Sequence, residues 1–126
     1  MPDLFVFRRS LPHAKRFADL KAIRRQMEGA GYKVQPLLIM RDWNCTIKSV
    51  IRRDYQRDPL FCESNMRHGP LLAFDAFRDD LIYVTYEAFC LQKKFRRWLF
   101  CDRLQLPEPT LEIHFANPKY YDLAGR

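Results

Sequence analysis

Apolar residues along the chain fall into short continuous runs, separated by stretches with a helical period. Leu4 to Phe7 is the first run, closed by Arg8-Arg9, and its residues suit a buried strand. From Lys15 to Glu28 the period changes: Phe17, Leu20, Ile23 and Met27 share one helical face, while Lys15, Arg16, Asp19, Lys21, Arg24 and Arg25 fill the other. Gly29-Ala30-Gly31 supplies the stop. Val34 to Met40 is the next apolar run; within it Leu37 to Met40 is continuous without alternation, as expected of a strand covered on both faces, with Pro36 at its start. Arg41 ends that run, and Asp42 is placed to cap a helix from Trp43 to about Tyr55. Ile47, Val50 and Ile51 form its apolar stripe; Lys48, Arg52 and Arg53 face water.

Arg57 to His68 reads as an exposed polar loop, and Pro70 as the opening of a short helix carrying Leu71, Phe74 and Phe77. Leu81 to Thr85 is the clearest strand by composition. Tyr86-Glu87 then leads into one long helix ending near Leu104. Ala88, Leu91, Phe95, Trp98 and Leu99 form its buried side, and Lys93, Lys94, Arg96, Arg97 and Arg103 its basic outer side. Pro107 and Pro109 end regular structure, leaving residues 107–126 as a C-terminal arm with a turn at Asn117-Pro118.

The order β-α-β-α-(α)-β-α predicts a single α/β domain over residues 1–126, three-layered, with a short, mainly parallel sheet flanked by helices. Ligands of such sheets bind beyond the carboxyl ends of the strands. Arg8-Arg9-Ser10, Arg41-Asp42 and Tyr86-Glu87 all fall there, each polar and directly after an apolar run.

Composition narrows the function classes. Of 126 residues, 48% are hydrophobic and 14% aromatic, enough for a packed core and against disorder. No apolar run reaches the length of a membrane span, and Met1 to Phe7, lacking a basic leader, reads as a strand and not as a signal peptide. Cys45, Cys62, Cys90 and Cys101 lack C-x-x-C spacing, which argues against zinc. They read as thiols of a reducing, cytoplasmic compartment. The net charge of +7 favours a polyanionic partner: a nucleotide, nucleic acid or an acidic surface.

Three constellations could carry chemistry. Arg41 offers a planar fork suited to phosphate, and Ser49 lies about two turns along the helix whose N-terminus favours anions. The alternative is Arg41 paired with a carboxylate and Ser49 as an ordinary helix hydroxyl. Arg8, Arg9 and His13 could hold phosphate or sulfate, with His13 able to move a proton; a solvated turn is the plainer account. Tyr86 could stack on a base, and Glu87 could cap a helix or hold an arginine. The face Lys93, Lys94, Arg96, Arg97 reads as solvated, with weak nucleic-acid contact open to it. Neither G-x-x-x-x-G-K-[ST] nor G-x-G-x-x-G is present.

Taken together, the strand ends resemble the later part of a sulfotransferase-type P-loop domain, over roughly residues 4 to 106. In that family a strand ends in R-[DN], a Ser follows eight residues after the Arg, and both hold a 3′-phosphate. Leu38-Ile39-Met40-Arg41-Asp42 and Ser49 keep that interval. A later family strand ends in Y-E-D-L beside adenine, and Tyr86-Glu87-Ala88-Phe89 is similar, with Tyr86 matching that Tyr. The resemblance implies a site for 3′-phosphoadenosine-5′-phosphosulfate, with Arg41, Ser49 and Tyr86 on the nucleotide. Arg8 and Arg9 would face the sulfate or 5′-phosphate, with His13 a candidate base. The family's 5′-phosphosulfate loop lies on an earlier strand, and Ser10 stands where its general-base His is often found. Two expectations follow: an incomplete sulfuryl-transfer domain whose sheet a second chain or a preceding segment completes, or a non-enzymatic basic assembly component, as in a virion or ribonucleoprotein, that keeps the scaffold. Direct nucleic-acid binding is a third.

Overall fold

Strands β1 (Leu37–Met40) and β2 (Ile82–Thr85) pair in parallel, with Leu37 opposite Ile82 and Met40 opposite Thr85. The computed structural model describes Leu4 and residues 6–10, 15–110 and 112–121. Around the strands lie helices α1 (Leu20–Gly29), α2 (Trp43–Arg52), α3 (Pro59–Phe77), α4 (Tyr86–Leu91) and α5 (Lys93–Arg97). A π-helical turn follows at Trp98–Arg103 and a 3₁₀ turn at Asn117–Tyr120. The architecture is mixed α/β, a parallel pair flanked by helices.

Register partners in a parallel ladder point to the same face, and neighbours along a strand alternate. Leu38 and Tyr83 therefore share one face; Leu37, Ile39, Ile82 and Val84 share the other. Leu38 is buried, and the Tyr83 ring stacks on Phe74 of α3 at 6.2 Å. On the opposite face Ile82, Val84 and Leu99 form a buried cluster against which Phe89, Phe95, Phe100 and Leu104 pack. Burial of each such aliphatic side chain stabilises the fold by about 1.5–3 kcal/mol. Burial alternates along each strand, so β1 is not covered on both faces as its apolar run suggested: β1 buries Leu38 on one face and β2 buries Ile82 and Val84 on the other. The β1 half of the second face is uncovered, with Leu37 39% and Ile39 64% exposed.

Local signals explain the helix ends. The Asp19 carboxylate accepts from Ala22 N at 3.1 Å, so α1 begins at Leu20 and not at Lys15. It stops where Gly31 takes φ +96°, a left-handed conformation that disfavours side chains, with Gly31 N and Tyr32 N donating to Glu28 O and Met27 O. Arg24 ties α1 to the turn after α3: its Nη1 donates to Asp80 Oδ1 at 3.0 Å, its Nη2 donates to Oδ2, and the hydrogen bonds hold the Asp80 carboxyl below its ordinary range. Asp42 caps α2 as expected, accepting from Cys45 N at 2.9 Å.

Several expectations are corrected. Leu4, Val6 and Phe7 form no strand; they are exposed, and the Arg9 guanidinium lies 5.1 Å from the Phe7 ring centre. A four-residue run orders as a strand only with a ladder partner, and the pair of strands among the described residues is β1 with β2. The segment expected as a loop from Arg57 to His68 is the first half of α3. Asp58 caps it through Leu60 N, with Pro59 in its first turn. Its buried stripe, Cys62, Asn65, Met66, Gly69, Pro70 and Ala73, has helical spacing but small or polar residues, so it carries little apolar signal. Pro70 sits inside this helix and opens nothing; Leu71 and Phe74 are exposed.

The single long helix after Tyr86 is broken at Gln92, whose φ of −116° and ψ of 100° are extended. The break frees carbonyls at the end of α4, and Arg96 Nη1 donates to those of Phe89 and Cys90 at 2.8 and 2.9 Å. Arg96 thus holds the chain's own backbone. Of the expected stripe, Leu99 is buried whereas Leu91 and Trp98 are exposed. Cys45 and Cys62 are buried free thiols; Cys90 and Cys101 are free and half-buried. Among the described residues no helix is long and apolar enough to cross a membrane.

Candidate functional site

Arg41 follows β1 and Tyr86 follows β2, directly after the paired residues Met40 and Thr85. Parallel pairing in that register delivers both side chains at the carboxyl edge of the sheet. The guanidinium carbon of Arg41 lies 4.8 Å from the Tyr86 ring centre and 5.3 Å from that of Tyr120, so the cation sits against two aromatic rings.

A relay of polar groups fixes this arginine. Arg41 Nε donates to Asn117 Oδ1 at 2.6 Å, and Asn117 Nδ2 donates to Glu87 Oε2 at 2.6 Å. The same Glu87 oxygen accepts from Asp42 N at 3.3 Å. Asn117 is fully buried, and its carbonyl oxygen accepts from the Cys45 thiol at 3.8 Å. Burial pushes the Cys45 thiol above its ordinary range, with the hydrogen bond to Asp42 adding to it, so this group stays protonated and does not compete as a nucleophile. Arg41 Nη2 is different: it is buried and has no hydrogen-bond partner among the described residues. An orphaned donor on a charged group costs about 1–3 kcal/mol or more.

Tyr86 is anchored at its other end. Its hydroxyl accepts from Ala116 N at 2.9 Å and donates to His114 O at 3.3 Å, while its ring stacks on Phe115 at 5.8 Å. Burial pushes this phenol above its ordinary range. The C-terminal arm therefore packs back over the sheet edge through residues 114–120.

Ser49 lies half-buried on α2, the helix against which the Asn117–Tyr120 turn packs. Ser49 first, then Arg52 and Lys119, hold the Tyr120 phenol below its ordinary range. Lys48 Nζ donates to Tyr120 O at 2.9 Å, and Lys119 Nζ stands 5.2 Å from the Tyr120 ring centre. Arg41, Lys48 and Lys119 therefore all contact one buried tyrosine. The concentration of donors and positive charge suits an anion. Helix amides contribute less than the sequence suggested, because Asp42 already occupies the N-cap of α2.

The structure brings Arg41, Ser49 and Tyr86 into one neighbourhood, joined by Tyr120 and Asn117. It does not bring Arg8 and Arg9 there as residues of a strand end. Arg8 is exposed, and Arg9 borders a cleft between α1 and α3 lined by Phe17, Leu20, Gly69 and Leu72. His13 lies outside the described residues. Asn117 and Tyr120 are functional candidates that sequence reasoning missed. Their one signal was an Asn-Pro turn followed by two tyrosines, which has the look of a surface turn. Among the described residues no group of three His, Cys, Asp or Glu side chains could hold a metal ion.

Comparison with protein-family models, with curated proteins and with solved structures finds no match for this chain in any of the three.

Proposed function

We propose that the chain binds a 3′-phosphorylated adenine nucleotide at the edge where Arg41 and Tyr86 emerge. The observation that carries this reading is the buried, unpartnered Nη2 of Arg41. A guanidinium whose Nε is already committed to Asn117 keeps its Nη atoms for a second acceptor, and a phosphate oxygen is the strongest acceptor of that kind. Lys48 of α2 reaches the same Tyr120 that lies against Arg41, and Ser49 follows it on that helix. The Tyr86 ring already lies against Arg41 and Phe115, so an adenine meets it at its edge. 3′-Phosphoadenosine-5′-phosphosulfate is the cofactor that the sequence resemblance suggests, and the sulfate it carries would supply a transferable group. Arg8, Arg9 and His13 have no described contact with this edge, so the reading is one of binding, with sulfuryl transfer dependent on groups brought from elsewhere.

Thermal melting with two nucleotides tests it. Adenosine 3′,5′-bisphosphate at a hundredfold excess over Kd stabilises the fold by about 2.7 kcal/mol, a rise in Tm of roughly 5–15 °C. Adenosine 5′-monophosphate, lacking the 3′-phosphate, gives a small shift at the same concentration. Equal shifts for the two, or none at millimolar bisphosphate, would exclude the reading.

A second reading rests on a separate observation. Leu37 and Ile39 are exposed on a face that β2 buries, beside the outer edge of β1. Parallel sheets are rarely left open in this way. The reading is that a partner chain or a preceding segment adds a strand along β1 and covers both residues, making the protein a basic assembly component. Light scattering of the wild type against Ile39→Lys tests it: a larger species reduced to a monomer by the substitution supports it. Two monomers that also fail to bind nucleic acid or a partner refute it.

A further inference from the structure

The 3₁₀ turn Asn117–Tyr120 does two different jobs at the Arg41 edge, and its two ends are held unequally. Asn117 is fully buried and bonded on both sides of its amide, to Arg41 and to Glu87. It is an anchor. Tyr120, three residues on, is held by cations that face outward: Lys48 Nζ donates to its carbonyl oxygen and Lys119 Nζ stands 5.2 Å from its ring centre. Lys48 and Lys119 are exposed, and such contacts exchange readily with water. Between the two ends lie only exposed Pro118 and Lys119.

The carbonyl and ring of Tyr120 are weak, uncharged partners for the cations around them, Lys48, Lys119 and Arg41. A phosphate offers several charged acceptor oxygens to the same donors. The Tyr120 ring also lies against the Arg41 guanidinium, whose Nη2 has no partner while the ring is there. We propose that Tyr120 is a built-in occupant of the phosphate site, and that a ligand binds by displacing residues 118–120 while Asn117 stays in place. This rests on the nucleotide reading above and adds its regulation: the chain as folded is closed, and apparent affinity is reduced by the fraction of molecules in which Tyr120 is in.

Calorimetry with adenosine 3′,5′-bisphosphate on the 126-residue wild type, Tyr120→Phe and Tyr120→Ala separates this from the reading it rests on. If Tyr120 covers the site nine times in ten, its removal tightens binding about tenfold. Tyr120→Phe, which keeps the ring and loses the hydroxyl, falls between. Equal Kd values for all three overturn the gate and leave the nucleotide reading standing. No binding by any of them overturns both. Should Tyr120→Ala fail to fold, fluorotyrosine placed at position 120 of the wild type decides the matter. Its resonance moves toward that of a solvent-exposed ring at saturating bisphosphate, and an unmoved resonance refutes displacement.

Discussion

Asn117→Ala is expected to destabilise the protein by about 2–4 kcal/mol, a large fraction of the stability of a domain this size. Asn117 is fully buried and serves two charged groups at once, accepting from Arg41 and donating to Glu87. Truncation leaves Arg41, which already has one orphaned buried nitrogen, with a second unmet donor. It also removes a donor from Glu87, whose remaining described partner is the amide of Asp42. Each loss to a charged group is in the range of about 1.5–3 kcal/mol, and partial access of water to the vacated space reduces the sum. Urea unfolding measures it. The midpoint falls while the slope stays as in the wild type, because the change removes a contact and leaves the denatured chain as it was. A loss below about 0.5 kcal/mol would mean that the arm does not hold the sheet edge.

The parts of the fold that were legible in the sequence are those with strong one-dimensional signals. Val34 to Met40 and Leu81 to Thr85 are runs of strand-forming residues closed by polar ones, and they contain the strands Leu37–Met40 and Ile82–Thr85. Asp42 precedes a helical period and caps α2. The first half of α3 was illegible because its buried side is Cys62, Asn65, Met66 and Gly69, which pack closely without being strongly apolar. Pro70 looked like a start because a proline usually marks one. The break at Gln92 has no signature at that residue; it shows only in the arginine four positions later that collects the freed carbonyls.

The site divides in the same way. Arg41 and Tyr86 were visible because strand ends in a parallel sheet converge whatever the side chains. Asn117 and Tyr120 were not, because they are distant in sequence and reach the site through a tertiary fold-back of the arm. Arg8 and Arg9 were misplaced together with the strand expected before them. Their position followed from a sheet order that the described residues do not form.

Arg41→Ala carries the second large effect, on binding. Charge-assisted hydrogen bonds to phosphate are about twice as strong as neutral ones, and loss of a bidentate contact weakens affinity by about 1.5–3 kcal/mol, roughly 10- to 150-fold. Arg41→Lys keeps the charge but not the fork, and its Kd lies between the two. Because Arg41 also meets Asn117, Tyr86 and Tyr120, circular dichroism and melting must show each variant folded at the titration temperature. Arg67→Ala is the matched control, since Arg67 lies on α3 against Glu63 and Trp43.

Isothermal titration of adenosine 3′,5′-bisphosphate into wild type, Arg41→Ala and Arg67→Ala tests the central claim most directly. The account predicts one site per chain for the wild type and Arg67→Ala with the same Kd, and at least tenfold weaker binding by folded Arg41→Ala. Binding by Arg41→Ala equal to that of the wild type, or no heat from the wild type at millimolar nucleotide, would contradict it.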